Sequence, residues 1–461
     1  MNRLAITRIL LIFLTFSACK SDEVKEIKEQ PNILIIYVDD LGYGDLSTYG
    51  GDIPSPNIQK IADAGIKFTD FYVSAPVCSP SRYSLLTGSY PQRSKHGIFT
   101  ALMPGDSNRI NAKEKLLPQY LKEIGYETAL FGKWHLGSKN KEDLPTNHGF
   151  DTFIGHLDGC IDYFYHTYSA LTDGWYKNTE PIKEQGYSTD LITAHAIDFL
   201  EGRTDEKRPY FMYLAYNSPH FGKTDPTIAL PDSTLILKET IFKDMPIANT
   251  LQVPERYLER FADEKDPYRQ MYAAMVSNLD DNIGRVLNEL KENGTIENTM
   301  IWFISDNGGY SETYFGHASN GKLRGEKAQL FEGGIRIPAL VSWPKRIKPS
   351  QVIEQPVCNV DVLPTLASIT GIGSRMDKKT VDGIDISEVL FENKTLDRDI
   401  YWKYDKSNQY ALRSGYWKLL NDELYNLEED LGEQNNLAEK HSAKYNELKE
   451  KWIQINESVV R

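Results

Sequence analysis

The sequence predicts an α/β protein with a large mixed, mostly parallel β-sheet flanked by helices, followed by a smaller C-terminal α+β subdomain. Two observations carry this prediction. From residue 31 onward, unbroken apolar segments of strand length alternate with amphipathic helical segments, as in sheets that are covered on both faces. Beyond about residue 373, short strand-like segments are joined by turns. We therefore assign residues 31–373 to the large domain and residues 374–461 to the subdomain.

The individual elements follow from the apolar pattern. Strands of the large sheet are predicted at residues 32–38, 127–131, 210–216 and 299–305. Helices are predicted at residues 57–64, 116–124 and 269–291. In the last helix, apolar residues at steps of three and four form one buried stripe: Met275, Leu279, Ile283, Val286 and Leu290. The subdomain is predicted to contain strands at residues 399–404, 410–413 and 417–421 and a helix at residues 440–455.

The composition narrows the class of protein. The 461 residues include 52 Lys+Arg and 65 Asp+Glu, and the net charge of −13 repels a phosphate backbone, so no nucleic acid partner is expected. Four cysteines without a CxxC pattern do not make a disulfide scaffold or a zinc motif. Whether Cys160 and Cys358 pair or stay free is left open by the sequence.

The N-terminal residues have the pattern of a targeting segment. Arg3 and Arg8 precede a short apolar run at residues 9–16, and two small residues follow directly before Cys19. We interpret residues 1–18 as a signal peptide and residues 19–30 as a polar tether. The junction resembles a bacterial lipobox, which implies a lipid on Cys19 and a membrane partner at the outer membrane or cell surface. The alternative is a plain secretory signal and a periplasmic or secreted protein.

Polar residues follow each predicted strand of the large sheet at its carboxyl end. In open α/β sheets ligands bind outside these ends, so residues from four separate segments are expected in one crevice. The residues are Asp39, Asp40, Lys133, His135, His220, Asp306 and Asn307. Taken singly, each also has a structural interpretation, since Asp-Asp-x-Gly and Asp-Asn-Gly are common in turns. The convergence of the segments favours a functional site.

The acidic members of this set predict a metal site. Asp39, Asp40, Asp306 and the amide oxygen of Asn307 form a cluster of hard oxygen ligands, which suits Ca²⁺ or Mg²⁺ better than zinc or copper. Adjacent buried carboxylates repel each other, and a divalent cation removes that conflict. We expect Ca²⁺ rather than Mg²⁺, because Mg²⁺ demands stricter octahedral geometry.

A fifth segment, residues 77–88, reads VCSPSRYSLLTG. Ser79 is expected to cap a helix that has Pro80 at its first position, so that the helix dipole favours negative charge at Cys78. Arg82, about one turn further on, is expected to reach back to the same group. This CxPSRxxLLTG pattern resembles the formylglycine-dependent (type I) sulfatases of the alkaline-phosphatase superfamily.

The resemblance extends over most of the chain from residue 31 to the C-terminus, and it implies an alkaline-phosphatase-like fold. It includes the segments 39–45 (DDLGYGD), 132–137 (GKWHLG), 218–220 (SPH), 305–308 (SDNG), 323–327 (LRGEK) and 331–334 (FEGG). It implies that a maturation enzyme oxidises Cys78 to Cα-formylglycine (3-oxoalanine). The implied calcium ligands are Asp39, Asp40, residue 78, Asp306 and Asn307. The implied catalytic residues, which hold the sulfate and move protons, are Cys78, Arg82, Lys133, His135, His220 and Lys327.

The substrate is predicted less directly. Residues 149–175 are rich in aromatic and hydrogen-bonding groups, and we single out four as substrate contacts: His156, Asp158, Asp162 and His166. The alternative is a packed structural loop. The resemblance implies hydrolysis of sulfate monoesters, and the loop together with surface lipidation suggests sulfated polysaccharides as the source of the substrate. We expect exo action on oligosaccharides from these polysaccharides, although the sequence leaves endo or exo action open. Two alternatives are a phosphonate monoester hydrolase or phosphodiesterase of the same superfamily, and a non-catalytic glycan-binding lipoprotein. Residues 221–254 show little periodicity and are expected to shape the pocket rim.

Overall fold

The structure is a computed structural model that describes residues 30–460, except residues 171–172, 204–207, 243–244, 312–316 and 378. The predicted signal peptide, Cys19 and all but the last residue of the tether lie outside the described residues. Pro31–Arg461 forms one compact unit, and the proposed boundary between residues 373 and 374 stays a prediction. In the part of the chain that is described, none of the helices is both long and apolar enough to cross a bilayer.

A large mixed sheet forms the centre of the molecule and confirms the predicted fold class. Its ten strands among the described residues lie in the spatial order Gln351–Ile353, Gly65–Phe68, Ala339–Ser342, Thr299–Ser305, Asn32–Asp39, Tyr210–Pro219, Glu127–Lys133, Thr152–His156, Trp175–Lys177 and Glu180–Pro181. The central strands, from Thr299–Ser305 to Thr152–His156, are parallel to one another. Their carboxyl ends therefore face the same edge of the sheet.

The central strand Asn32–Asp39 shows why its sequence is apolar throughout. Ile33 and Ile35 point into one hydrophobic core, whereas Leu34 and Ile36 point into a second core on the opposite face. A strand covered on both faces has no solvent side, so alternation with polar residues disappears. The four predicted strands of this sheet are confirmed, and three of them continue beyond their predicted ends.

Helices cover both faces of the large sheet. The described α-helices are Pro56–Asp63, Cys78–Thr87, Leu117–Lys122, Ser188–Glu201, Pro267–Glu292, Glu332–Ile335, Val362–Thr370, Ser387–Glu392 and Ser442–Val459. The long helix Pro267–Glu292 begins with the side chain of Asp266 accepting from the N–H of Tyr268. Every residue of its predicted stripe is fully buried, which confirms that the stripe packs into the core.

The C-terminal part forms an antiparallel sheet of four strands, as counted over the described residues. The strands are Asp399–Tyr404, Gln409–Ser414, Trp417–Leu420 and Glu423–Asn426, each paired with the next. The helix Ser442–Val459 packs on this sheet through the fully buried Leu448. The sequence prediction lacks the fourth strand, which is positioned by its pairing with Trp417–Leu420.

Buried charges join the C-terminal sheet to the large domain. Nζ of Lys418 lies 2.8 Å from carboxylate oxygens of both Glu332 and Glu433, and all three side chains are fully buried. Burial raises the pKa of Glu332, but the charges of Lys418, Arg336 and Arg413 together outweigh this effect and lower the pKa to about 2. Removing one partner of a buried ion pair leaves an uncompensated charge, so Lys418 is important for stability.

Residues 221–254, which the sequence left without elements, contain a separate three-stranded antiparallel sheet. Its strands are Gly222–Thr224, Thr234–Phe242 and Met245–Gln252. The sequence signal is weak because the long hairpin is partly exposed and mixes polar and apolar residues on both faces. Cys160 and Cys358, whose pairing the sequence left open, are both free and buried.

Candidate active site

Three carboxylates meet at the carboxyl ends of two neighbouring parallel strands. Asp39 ends the strand Asn32–Asp39, and Asp40 follows it with a φ of 64°. Asp306 directly follows the adjacent strand Thr299–Ser305. One carboxylate oxygen of each aspartate lies within 4.8 Å of the other two, and all three residues are buried. Such a concentration of negative charge requires compensation.

The oxygen atoms of this cluster fit a divalent cation. Oδ1 of Asp39 and Oδ1 of Asn307 are buried and have no hydrogen-bond partner among the described residues. Burial and the nearby Asp39 raise the pKa of Asp306 to about 7, which shows the conflict among the carboxylates. Carboxylate and amide oxygens are the ligands that Ca²⁺ and Mg²⁺ prefer. A cation here would neutralise the carboxylates and give both oxygens a partner.

Each carboxylate of the cluster also pairs with a buried cation. The pairs are Lys133 with Asp39 at 2.6 Å, Arg82 with Asp306 at 2.8 Å, and Lys327 with Asp40 at 2.7 Å. Burial disfavours the charged form of Lys133, but the nearby acidic groups, Asp39 foremost, together outweigh this effect and raise the pKa of the ammonium. The site therefore holds three buried cations, each held in place by one carboxylate of the cluster.

Cys78 is the first residue of the helix Cys78–Thr87 and is 2% exposed. Burial raises the pKa of its thiol, although the Lys133 and Lys327 ammonium groups act in the opposite direction. An unmodified thiol here would be protonated and a poor nucleophile. Sγ of Cys78 nevertheless lies within 4.8 Å of ligand atoms of Asp39 and His220, next to the carboxylate cluster.

Two details of the predicted helix start are wrong. The helix begins at Cys78, with Val77 at its N-cap, so Pro80 is the third helical residue rather than the first. Ser79 does not cap the helix, because its Oγ accepts a hydrogen bond from the N–H of Leu102 over 3.0 Å. A tertiary contact thus takes the hydroxyl that the local pattern assigns to the cap.

The guanidinium of Arg82 is held by carboxylate and carbonyl oxygens. Nη2 and Nε donate to Oδ2 of Asp306 over 2.8 and 3.2 Å, and Nη1 donates to the carbonyl oxygen of Lys133 over 3.2 Å. The guanidinium also stacks on the ring of Tyr37, 5.3 Å from its centroid. The predicted contact of Arg82 with residue 78 stays a prediction.

The two histidines of the set are oriented by backbone carbonyl oxygens. Nε2 of His135 donates to the carbonyl oxygen of Leu102 over 2.9 Å, so Nδ1 carries the lone pair. Nδ1 of His220 donates to the carbonyl oxygen of Phe221 over 2.7 Å, and its Nε2 lies 3.5 Å from Oδ2 of Asp40. Burial lowers the pKa of both imidazoles, with a contribution from nearby lysine ammonium groups. Both rings are therefore neutral in this state.

A cavity of about 460 Å³ opens above the cluster. The predicted site residues Cys78, His135, His220 and Lys327 line it, while the three aspartates lie buried beneath. Aromatic residues from four separate segments contribute to the wall: Tyr168, Phe221, Tyr310 and Tyr404. This volume and lining suit a ligand of the size of one or two sugar units.

The four residues predicted to contact the substrate do not line the main cavity. Asp162 accepts hydrogen bonds from the N–H groups of Phe164 and Tyr165 and from the side chain of Gln252, so it supports its own loop. His166, His156 and Asp158 also do not line the main cavity. Their role in substrate binding stays a prediction, and these contacts favour the alternative of a packed loop.

The rings of His166 and His156 are held by backbone carbonyl oxygens of the protein. Nε2 of His166 donates to the carbonyl oxygen of Gly186 over 3.0 Å, and its ring packs on Trp175 at 4.9 Å. Nδ1 of His156 donates to the carbonyl oxygen of Asp158 over 2.9 Å. From the same loop, the residues that do line the cavity are Gly159, Cys160 and Tyr168.

Sequence reasoning missed several cavity residues. They include Lys223, close to the predicted His220 in the chain, Tyr404 at the end of the first strand of the C-terminal sheet, and Lys406 and Ser407 in the turn that follows it. No local pattern marks these residues, because only the packing of two separate small sheets brings them to the cavity. The proximity of Lys223 to His220 was the one available signal.

Comparison with known protein families agrees with this geometry. The sulfatase family model matches residues 31–372. A second model, described as the C-terminal part of N-sulphoglucosamine sulphohydrolase, matches residues 325–458. The chain therefore belongs to the sulfatase family of enzymes.

Individual relatives are similar along most of the chain. Arylsulfatase J of Mus musculus is 32% identical over 421 residues, which cover 85% of this chain and 64% of the mouse protein. The chain thus spans somewhat less than two thirds of that relative. N-acetylgalactosamine-6-sulfatase of Homo sapiens is 30% identical over 396 residues, covering 81% of this chain and 68% of the human protein.

Among solved structures, the crystal structure of Ps i-CgsB in complex with k-i-k-neocarrahexaose has the same fold. It superimposes with a TM-score of 0.80 at 31% sequence identity, and the match covers 92% of both chains. The expected alkaline-phosphatase-like, sulfatase-type architecture is thereby confirmed.

Proposed function

We propose that this protein hydrolyses sulfate monoesters on oligosaccharides released from sulfated polysaccharides, removing the sulfate from a chain end. One observation carries the proposal: Cys78 lies at the base of the cavity, next to three carboxylates that are each paired with a cation. The names of the relatives, an arylsulfatase and an N-acetylgalactosamine-6-sulfatase, and the oligosaccharide complex of a similar structure support it.

The proposal includes a calcium ion and a modified residue 78. Asp39, Asp40, Asp306 and Asn307 would hold Ca²⁺ together with the formylglycine derived from Cys78. When bound, the cation would neutralise the carboxylates and favour the ionised form of a hydroxyl on the hydrated aldehyde. The orphaned oxygens of Asp39 and Asn307 support this ligand set.

Lys133, Arg82 and Lys327 would bind the sulfate oxygens and compensate the charge that builds up in the transition state. One hydroxyl of the residue 78 diol attacks sulfur, and the bond between sulfur and the leaving oxygen breaks. The leaving oxygen would take its proton from His220 or from Lys327, which is charged in this structure. His220 is neutral before substrate binds, so it can act as the acid only after the negative charge of the bound sulfate has favoured its protonated form. The products of this step are the desulfated sugar and a sulfated hemiacetal at residue 78.

The second step regenerates the enzyme. Nδ1 of His135 removes the proton from the remaining hydroxyl of the hemiacetal, because Nε2 is already committed to Leu102. The electron pair of that O–H bond forms the C=O bond of the aldehyde, and the C–O bond to sulfate breaks. A serine at this position has no second hydroxyl, so it would stay sulfated after one turnover.

The cellular context is part of the same proposal. A formylglycine-generating enzyme would mature Cys78, and lipidation of Cys19 would anchor the protein at the outer membrane or cell surface. Detergent partitioning of the full-length chain and of a Cys19→Ser variant tests the anchor. Equal partitioning of the two into the aqueous phase would favour a periplasmic or secreted protein.

The test of the function is a screen of sulfated mono- and oligosaccharides with protein matured by a formylglycine-generating partner. Sulfate release from at least one glycan supports the proposal. Matched phosphate, phosphonate and sulfate esters of one aryl alcohol distinguish the superfamily alternatives, and preferential cleavage of the phosphorus esters would overturn it. Glycan binding without turnover of any ester would favour the non-catalytic alternative.

A further inference from the structure

The charge on the cavity wall is opposite to that of the chain. The protein carries a net charge of −13, yet the described residues that line the cavity include Lys223, Lys327 and Lys406 and no carboxylate. A cavity with only positive charges attracts anions even in an acidic protein, because its low-dielectric walls concentrate the local field. The question is which of these charges the reacting sulfate uses.

The cations at the reaction centre are already paired. Lys327 belongs to the buried set of three, and its Nζ lies 2.7 Å from the Asp40 carboxylate. Lys223 and Lys406 differ, because neither forms an ion pair with any carboxylate of the described residues. Their charges are therefore available to a ligand.

Lys223 is held in place without being neutralised. It lies in the strand Gly222–Thr224, and its Nζ donates to the side-chain oxygen of Asn249 on the neighbouring strand. The same ammonium lies 5.5 Å from the ring centroid of Phe221. An amide oxygen and an aromatic face orient the ammonium and leave its full charge uncompensated.

Lys406 reaches the cavity from a different part of the fold. It lies in the single turn Asp405–Ser407, which follows the first strand of the C-terminal sheet. The adjacent Asp405 pairs with Lys403 at 3.4 Å rather than with Lys406. Lys406 is exposed, so its long side chain is free to close on a bound ligand.

We propose that Lys223 and Lys406 form a binding site for a second anionic group of the substrate, a sulfate or a carboxylate, in addition to the sulfate that reacts at residue 78. This inference rests on the proposed function and specifies its substrate class: glycans that carry at least two negative charges near the end that is cleaved. The aromatic residues on the wall, among them Tyr168 and Tyr404, would contact the sugar rings between the two anions.

The test compares three matched disaccharides that carry the same reacting sulfate. The first has no other charge, the second has a carboxylate, and the third has a second sulfate. Values of kcat and KM are measured for the matured wild type, Lys223→Gln, Lys406→Gln and the double variant. Lys265→Gln is the control, because Lys265 is an exposed lysine outside the cavity lining.

We expect the wild type to prefer a doubly charged disaccharide. Each single variant should reduce this preference about fivefold, mainly through KM, since partly exposed charges contribute modestly to binding. The preference should also decrease as ionic strength rises, and Lys265→Gln should retain it. The arm with the larger preference identifies the second anion as carboxylate or sulfate.

Two outcomes would overturn the inference: an active wild type without any preference, or a preference that the double variant retains. An inactive wild type would instead count against the proposed function. For that case the same disaccharides are titrated calorimetrically into Cys78→Ala protein with and without the lysine substitutions. Tighter binding of the doubly charged ligands that is lost with the lysines supports the site, and equal binding of all three ligands refutes it.

Discussion

Nε2 of His135 donates to the carbonyl oxygen of Leu102 over 2.9 Å, and the N–H of Leu102 donates to Oγ of Ser79. The backbone of Leu102 thus connects the helix that carries residue 78 with the side chain of His135. Nδ1 of His135 has no hydrogen-bond partner among the described residues. The arrangement fixes the tautomer of His135 and leaves one nitrogen available as a base.

The first prediction concerns how His135 is positioned. A Cβ added to Gly159 would lie 2.7 Å from Nε2 and Cε1 of the His135 ring, so Gly159→Ala should displace the imidazole. We expect kcat to fall at least tenfold, because a misplaced base loses general base catalysis, while the melting temperature changes little.

Gly373→Ala is the control for this substitution, since nothing lies closer than 3.9 Å to the added Cβ. Steady-state kinetics and thermal unfolding of both variants provide the measurement. Wild-type kcat in Gly159→Ala would show that the contact with His135 does not matter.

The second prediction separates the two histidines. His220→Ala should reduce the turnover of sugar sulfates far more than that of an activated aryl sulfate, because a phenolate leaves without a proton. His135→Ala should impair both substrates and accumulate a sulfated residue 78, seen as added mass on the peptide that contains Arg82. Equal losses on both ester types in His220→Ala, without an adduct in His135→Ala, would contradict these roles.

The third prediction concerns residue 78 itself. Peptide mass analysis of protein from a competent host should find the aldehyde or its hydrate at this position. Cys78→Ala should abolish turnover without unfolding the chain, and Cys78→Ser should at most become sulfated once. Cys358→Ala, which removes a buried thiol outside the cavity lining, serves as the control. A fully active enzyme with an unmodified thiol would falsify the mechanism.

The fourth prediction concerns the proposed metal. Chelation should lower both activity and the melting temperature, because the carboxylates of Asp39, Asp40 and Asp306 would lose the cation proposed to neutralise them. A ligand at about a hundred times its Kd stabilises a protein by about 2.7 kcal/mol, which sets the expected scale.

Added Ca²⁺ should restore both properties better than Mg²⁺ does, and Asp306→Ala should no longer respond to chelator. Activity assays and thermal unfolding in the same buffers measure the effect. An unchanged melting temperature together with unchanged activity would rule out a structural and catalytic metal at this site.

The fifth prediction tests the buried charges between the two sheets. Lys418→Met leaves Glu433 buried without its cation and Glu332 with only the more distant Arg336, at 3.4 Å, so stability at pH 7 should fall by about 3–5 kcal/mol. The exposed pair of Lys444 with Glu447 provides the control, and Lys444→Met should cost no more than about 1 kcal/mol. Similar denaturation midpoints of the two variants would contradict this interpretation.

The pH dependence of the stability of this cluster follows from the direction in which the pKa of Glu332 is shifted. The pKa of Glu332 is lowered from 4.5 to about 2 in the folded protein, so its contribution to stability is present above pH 4.5 and is lost as pH falls toward 2. The penalty of Lys418→Met should therefore be largest at pH 7 and shrink in acid, where the carboxylates become protonated. Denaturant unfolding at several pH values measures this trend.

The sequence by itself determined the large sheet and the residues of the reaction centre. Two long apolar segments are each followed in the chain by residues of the site: Asp39 and Asp40 after the first, Asp306 and Asn307 after the second. Because such strands pair in parallel, their carboxyl ends lie at the same edge of the sheet. The CxPSR segment added Cys78 through a pattern of neighbouring residues. In both cases the signal is local, so it can be read along the chain.

The tertiary structure alone decided what surrounds that centre. Lys223 and Lys406 reach one cavity from separate small sheets, Ser79 bonds Leu102 instead of capping its helix, and Asp162 supports its own loop. Short strands and turns take their position from packing against distant residues rather than from their own periodicity. For this reason the sequence specified the residues of the candidate active site, whereas the charges proposed to select the substrate became visible only once the chain was folded.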